Sequence, residues 1–301
     1  MAQEVNARVE VSACARSHRG RVRKENQDSF LLADLARAAD PTEMATTSTG
    51  VGPLRFTLAE EGAVLLVADG MGGRAGGAKA SALAVAAVRD AMAEEGPADA
   101  GAFVSRLRRA LALANEEIHE HARRDDNLRG MGTTATLAGL HGDTVYFAQV
   151  GDSRGYIVRG GAVARLTRDQ SFVQDLIDSG IVDEEGAKNI KDNRILQALG
   201  TNPSVAPEVT YQGLRRGDVL LLCSDGLSRV VADQEILGVI ENAEDCLAMC
   251  ERLIALANAR GGPDNITVIV ARVEGPGLGP AEPSDAPARK AYPVGARDGR
   301  A

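Results

Sequence analysis

The chain has 301 residues, 34 Lys and Arg against 42 Asp and Glu, and a net charge of −8, with 44% hydrophobic and 25% charged residues. That balance excludes a mostly disordered chain and suits one large domain or two small ones. With Tyr 4, Phe 5 and Trp 0 against 33 glycines, it offers neither the stacking platforms nor the positive charge that nucleic acid requires.

The first residues contain no apolar core of the signal-peptide kind. The longest apolar run, Ala63 to Ala68, is far below the roughly 20 residues of a membrane span, so a cytoplasmic protein is expected. Alternation over Val5 to Ala13 predicts a first strand. Phe30 to Leu32 predicts a second, and Asp40 to Gly52 a polar surface loop. Gly62 to Ala68 is a buried strand stopped at Asp69-Gly70-Met71-Gly72-Gly73. An Ala-rich helix is expected over Ala78 to Glu95, and a second over Ala102 to Arg124 with Phe103, Leu107, Leu111, Ala114 and Ile118 on one face.

The period then changes to two. Thr133–Leu140, Thr144–Val150, Arg154–Arg159 and Ala162–Leu166 read as short strands, the last two joined by the hairpin signal Gly160-Gly161. A short helix follows over Phe172 to Gly180, then a polar stretch from Asp183 to Asn193. Asp218 to Ser224 is a buried strand stopped by Asp225-Gly226. Helices over Asp233–Asn242 and Asp245–Ala259 precede a last strand, Ile266–Val273. From Glu274 the composition turns to Pro, Gly and Ala without periodicity, which predicts a disordered tail over 274–301. A β meander flanked by helix pairs argues for an α+β domain with layered antiparallel sheets over 1–273.

Four acidic residues share one setting, a strand end beside a glycine or a Gly-rich turn: Asp69 in VLLVADGMGG, Asp225 in VLLLCSDGL, Asp264 in ARGGPDNITVIV and Asp152 in FAQVGDSRGY. A fifth, Asp28 in RKENQDSF, sits between a turn and a strand. A single Asp-Gly after a strand is usually only a turn. Repeated, the pattern also fits carboxylates held at strand ends around a hard divalent cation, with glycine letting backbone approach. Cys14, Cys223, Cys246 and Cys250 form no CxxC, and Cys246 and Cys250 share a helix face as small buried hydrophobes. His18, His119, His121 and His141 are scattered, and DGMGG lacks the Gly-Lys-Ser/Thr ending of a P-loop.

Taken in order, SHRGRVRKENQD, VADGMGG, GTTATLAGL, VGDSRGYIVRGG, LTRDQS, ILQALG, LLLCSDGL and GGPDNITVIVARV resemble the motifs of the metal-dependent Ser/Thr protein phosphatases of the PPM, or type 2C, family. The likeness is greatest to bacterial single-domain members and spans Ser17 to Val273. It implies a four-layer α-β-β-α sandwich with two central antiparallel sheets and a flap at about 172–194. It also implies two Mg2+ or Mn2+ ions and a third, weaker metal site. Asp69 would bridge two ions and the Gly70 carbonyl would complete the second ion's shell. Asp225 and Asp264 would hold the first ion, and Asp28 would contact the metal-bound waters. Asp152 would share Asp225 at the third site, and Arg23 would bind the substrate phosphate.

The implied mechanism is in-line attack on phosphorus by a hydroxide formed between two ions about 3.5–4 Å apart. The implied substrates are phosphoserine and phosphothreonine in proteins, supplied by a bacterial Ser/Thr kinase, with the phosphatase acting as a monomer. Met71 replaces the His of animal members, and Gln27-Asp28 replaces their Glu-Asp, so residue 71 supplies no general acid. Three other functions compete with this one. A pseudophosphatase would be expected to lack one of these Asp residues. A small-phosphoester hydrolase would need a base-binding motif, and a partner-switching phosphatase a sensor segment; none of these features is recognisable in the sequence.

Overall fold

Strands that are apolar at every position must be covered on both faces, and the layering follows from that requirement. The computed structural model describes residues 8–37, 50–94, 99–187, 189–190, 192–282 and 284–293. β1 (Glu10–His18), β3 (Gly50–Thr57), β8 (Arg154–Arg159), β9 (Ala162–Arg165), β11 (Val219–Cys223) and β12 (Ile266–Glu274) form a six-stranded sheet in the order β3-β1-β12-β11-β8-β9. β2 (Asp28–Asp34), β4 (Ala63–Met71), β6 (Ala135–His141), β7 (Thr144–Val150), β10 (Glu208–Gly213) and β13 (Lys290–Ala291) form the second sheet, in the order β13-β10-β7-β6-β4-β2. The short β5 (Gly132–Thr133) pairs with β4. The strand pairings within both sheets are antiparallel.

Alternate residues of each central strand enter different cores. On β4, Leu65 and Val67 join Phe30, Phe147, Leu220, Leu222 and Ile269 between the two sheets. Val64 and Leu66 face α1 (Gly73–Ala93) and α2 (Ala100–Arg124), meeting Val88, Phe103, Leu107 and Leu111. On β12, Val268 and Val270 face α6 (Asp233–Asn242) and α7 (Cys246–Ala259), meeting Ile236, Ile240 and Leu253. Three cores thus separate four layers, the α-β-β-α sandwich expected. The predicted stripe of α2 is buried, and Asp99 caps that helix by accepting from the Ala102 N–H at 2.8 Å. Among the described residues no helix is long and apolar enough to cross a membrane.

Several boundaries differ from expectation. β1 starts at Glu10, and Val5 lies outside the described residues. Most of the expected loop at Asp40–Gly52 also lies outside them, and its last residues open β3. β3 and β10 answer to no expected strand. α1 begins at Gly73, five residues early, and Gly77 in its early turns packs against Gly70 of β4. The chain after Glu274 departs from the expected disordered tail over its described part. Arg159 donates to the Asp285 carbonyl at 3.0 Å, and Arg215 pairs with the Asp285 carboxylate at 2.7 Å. β13 adds to β10, and Tyr292 packs edge-on against Tyr146 and Tyr211. These ring contacts and ion pairs are long-range, so composition does not reveal them.

Candidate functional site

Asp28 and Asp69 are direct cross-strand partners at the same end of β2 and β4. Beside them, Asp225 starts α5 (Asp225–Ser228) just beyond β11, and Asp264 stands two residues before β12, the neighbour of β11. Asp152 occupies the turn between β7 and β8, and β8 also borders β11. Strand order therefore gathers five carboxylates, drawn from both sheets, at one end of the sandwich. Asp69, Asp152, Asp225, Asp264, Gly70 and Arg23 line a single cavity of ≈ 680 Å³ there. Asp28 is not among its lining residues; it stands behind Asp69 and is only 3% exposed.

Polar side chains hold the acids in place. The Asp69 N–H donates to Thr134 Oγ1 at 3.1 Å, and the Asp69 carbonyl accepts from the Thr134 N–H and Thr133 Oγ1, both at 2.9 Å. Thr134 Oγ1 is 2.7 Å from Ser153 Oγ, so the GTT and GDS segments are tied together beneath Asp69. Asp28 Oδ2 accepts from Ser224 Oγ at 2.8 Å and Thr267 Oγ1 at 2.7 Å, which fastens one sheet to the other. Asn265 fixes the loop that carries Arg23. Its Oδ1 accepts from the Gln27 N–H at 2.8 Å, and its Nδ2 donates to the carbonyls of Arg19 at 3.0 Å and Glu25 at 2.9 Å. Gly20 takes φ +75 where a Cβ would lie 2.1 Å from the Asp264 carbonyl, so only glycine lets the loop approach this turn. A Cβ on Gly70 would lie 2.1 Å from the Gly77 carbonyl, and one on Gly77 would lie 2.7 Å from the Gly70 carbonyl oxygen. The two glycines therefore permit each other.

Sequence reasoning selected the acids and Arg23 but not Thr134, Ser153, Ser224, Asn265, Thr267 or Gly77. All but Gly77 lie in or directly beside the quoted motifs, so nearness to a motif acid was the available signal. The histidines stay out of the site: none lines the cavity. His18 Nδ1 accepts from the Gly20 N–H, and His141 stacks on Phe103. The four cysteines are buried and free. Burial pushes the Cys14 thiol up to about 11 and the Cys223 thiol up to about 12, so neither is a nucleophile at neutral pH.

Electrostatics mark the cluster as unbalanced. Burial, helped by neighbouring carboxylates, raises Asp28 to about 6 and Asp152 to about 6. Burial followed by the charges of Asp28 and Asp225 raises Asp69 well above the usual carboxylate range, although part of it opens onto the cavity. Asp225 is also raised, again mainly by burial. Asp28 Oδ1 and Asp225 Oδ1 are buried without any hydrogen-bond donor. Two arginines supply countercharge. Arg23 Nε and NH2 each lie 2.7 Å from an Asp264 oxygen, a two-pronged pair. Arg229 NH2 reaches Asp225 Oδ2 at 2.8 Å and Asp152 Oδ2 at 3.1 Å. With the carboxylates turned to these arginines, no three acidic, His or Cys side chains among the described residues meet in a ready-made ligand set. The donors are nonetheless all oxygens, two of them orphaned, and buried like charges demand a cation. The cluster around Asp69, Asp225, Asp264 and Asp28 fits a hard divalent ion.

The rim of the cavity is the segment expected as a flap. It carries α3 (Phe172–Asp178) and the single turn α4 (Glu184–Ala187). Its base is closed by the Phe172 N–H to the Arg194 carbonyl and the Leu196 N–H to the Gln170 carbonyl. Gln170 Oε1 in turn accepts from the Gly151 N–H at 2.8 Å, beside Asp152. Asn193 and Ile195 line the cavity.

The family described as protein phosphatase 2C matches residues 54–267. The chain is 39% identical over 221 residues to the serine/threonine protein phosphatase PstP of Mycobacterium tuberculosis, covering 73% of this chain but only 42% of that protein's length. It is 36% identical over 209 residues to the serine/threonine phosphatase stp of Listeria monocytogenes, covering 69% of this chain and 83% of that one. Among solved structures, the catalytic domain of PstP in complex with two manganese ions superposes with a TM-score of 0.72 at 35% identity. That match covers 88% of this chain and 99% of the other.

Proposed function

The chain belongs to the protein phosphatase 2C family, and from that premise we propose that it is a metal-dependent protein serine/threonine phosphatase. The observation that carries this reading is the convergence of five Asp residues at one sandwich end, with two buried carboxylate oxygens left without donors. In this reading Asp69, the Gly70 carbonyl, Asp225 and Asp264 hold two Mg2+ or Mn2+ ions, and Asp28 orients water from behind Asp69. The two manganese ions in the PstP catalytic domain support that choice of ion. When bound, such a pair supplies a water acidic enough to attack at neutral pH and neutralises phosphoryl charge.

The chain's own residues do the rest. Arg23 presents a planar fork that grips Asp264 and would grip two phosphoryl oxygens equally well once a cation takes its place there. Thr133 and Thr134 hold the Asp69 backbone rigid, so no reorganisation is spent during turnover. Met71 lines the cavity and cannot donate a proton, so the leaving serine or threonine oxygen is protonated from elsewhere than residue 71. The substrates are phosphoproteins made by a Ser/Thr kinase, and the protein works as a cytoplasmic monomer.

The test is phosphate release from a phosphothreonine peptide with Mn2+, with EDTA, and by Asp69→Asn. Activity should vanish in EDTA and fall at least about 10³-fold in the variant. Activity that survives both would overturn the reading.

A further inference from the structure

The third metal site implied by the family resemblance rests on Asp152 and Asp225, and in the structure the place between them is filled. The filling group is Arg229, whose NH2 nitrogen touches the Oδ2 atoms of both residues. Local geometry fixes it there. Arg229 lies four residues after Asp225, one helical turn on, and its N–H donates to the Asp225 carbonyl at 2.9 Å. Its stem therefore rises on the same face as the carboxylate it meets. The two carboxylates are nearly buried, with side chains 9% and 12% exposed, and the Arg229 side chain is 34% exposed, at the wall of the cavity.

No other basic side chain among the described residues forms an ion pair with Asp152. The nearest candidate in sequence, Arg154, is committed to Asp169, with contacts of 2.9, 3.2 and 2.6 Å. A divalent ion shared by Asp152 and Asp225 would need both oxygens at about 2.0–2.6 Å, the space that the Arg229 nitrogen already occupies. Arginine does not release the site by losing its proton, because it stays charged at every accessible pH. An incoming ion would have to expel the guanidinium from two nearly buried carboxylates, whereas Arg23 grips the single carboxylate of Asp264 from the solvent side, with side chains 56% and 28% exposed. The donor set at Asp152 therefore does not fit a third metal as the cluster around Asp69 fits the first two. Asp225 divides its two oxygens accordingly: Oδ2 faces Arg229, while Oδ1 is buried without a donor.

We propose that Arg229 is a built-in cation standing in the place of a third divalent ion, so that this centre takes two ions and no more. The proposal rests on the metal-dependent reading above. It makes Arg229 a positioning residue, which holds Asp152 and one edge of Asp225 while the other edge serves the ion pair.

The experiment counts Mn2+ on the full-length chain by equilibrium dialysis, with free Mn2+ read by electron paramagnetic resonance up to millimolar concentration. The wild type should saturate at two ions. Arg229→Ala should saturate at three, and Arg229→Ala with Asp152→Asn should return to two. Three ions on the wild type, falling to two in Asp152→Asn, would overturn the proposal while leaving the metal-dependent reading intact. No ions on the wild type would overturn both. Two ions on a folded Arg229→Ala would also overturn it; if Arg229→Ala does not fold, Arg229→Asp, which offers a ligand in place of the cation, takes its place with the same expected count of three. If neither variant folds, the wild-type count still decides.

Discussion

Asn265 shows how much of the centre depends on side chains that touch no ion or substrate. Its amide makes three hydrogen bonds that hold residues 19–27 against the Asp264 turn, and Arg23 rides on that segment. Asn265→Ala leaves a backbone N–H and two carbonyls without partners, which should cost about 2–3 kcal/mol in urea unfolding at roughly 1 kcal/mol per lost bond. It should also lower kcat/KM on a phosphopeptide by loosening Arg23. A variant with wild-type stability and kinetics would show that the Arg21 and Val22 N–H bonds to the Gly262 carbonyl and the Arg23–Asp264 pair hold the loop without it. Asp69, Asp152 and Asp225 were legible in sequence because a carboxylate after an apolar strand is conspicuous, whereas Asp28 and Asp264, at or before the starts of their strands, leaned more on the order of the motifs. Asn265, Ser224 and Thr267 were not, because a short polar side chain near a turn has many ordinary uses. Their role emerges only when burial places them against Asp28 or a backbone carbonyl.

At the level of elements, one buried ion pair ties β8 to the start of β11, and its arginine also reaches the tail. Arg159 on β8 meets Asp218, just before β11, through two contacts of 2.8 and 2.6 Å, with side chains 4% and 1% exposed. The same guanidinium holds the Asp285 carbonyl. Arg159→Ala strands a buried carboxylate and should destabilise by about 3–5 kcal/mol, whereas replacing both partners with apolar residues should restore much of the loss. Chemical denaturation of the single and double variants measures this, and equal losses in both would argue against it. Strands with continuous apolar runs, such as β4, β11 and β12, were readable because both faces are buried. β3 was not, since it is an edge strand, Gly- and Pro-containing, with only Phe56 buried. β10 follows a polar, Pro-containing stretch and alternates over only six residues. The tail's seat on β10 depends on Tyr146 and Tyr211 far away in sequence.

For the molecule as a whole, the active end is a region of stored repulsion in an otherwise well-packed sandwich. Carboxylates raised by burial and by one another weaken the metal-free fold, and any ion that binds only the folded chain relieves this. Adding Mn2+ at 100 times its dissociation constant should stabilise the wild type by about 2.7 kcal/mol per site, seen as a rise in Tm by calorimetry. Asp69→Asn should melt higher than the wild type in EDTA and gain little from Mn2+, the usual exchange of function for stability. Identical melting of the wild type with and without Mn2+ would contradict this. The arginines that hold Asp264, Asp225 and Asp152 give this balance a consequence for the protein's life history. With those three carboxylates partly answered from within the chain, the repulsion that remains centres on Asp28 and Asp69. A metal-free chain is therefore expected to fold, at lower stability, before any ion is loaded, and calorimetry in EDTA would show this as a cooperative melt below that of the loaded protein. On the metal-dependent reading, chains made while manganese or magnesium is scarce would stay folded and could be loaded later without new synthesis.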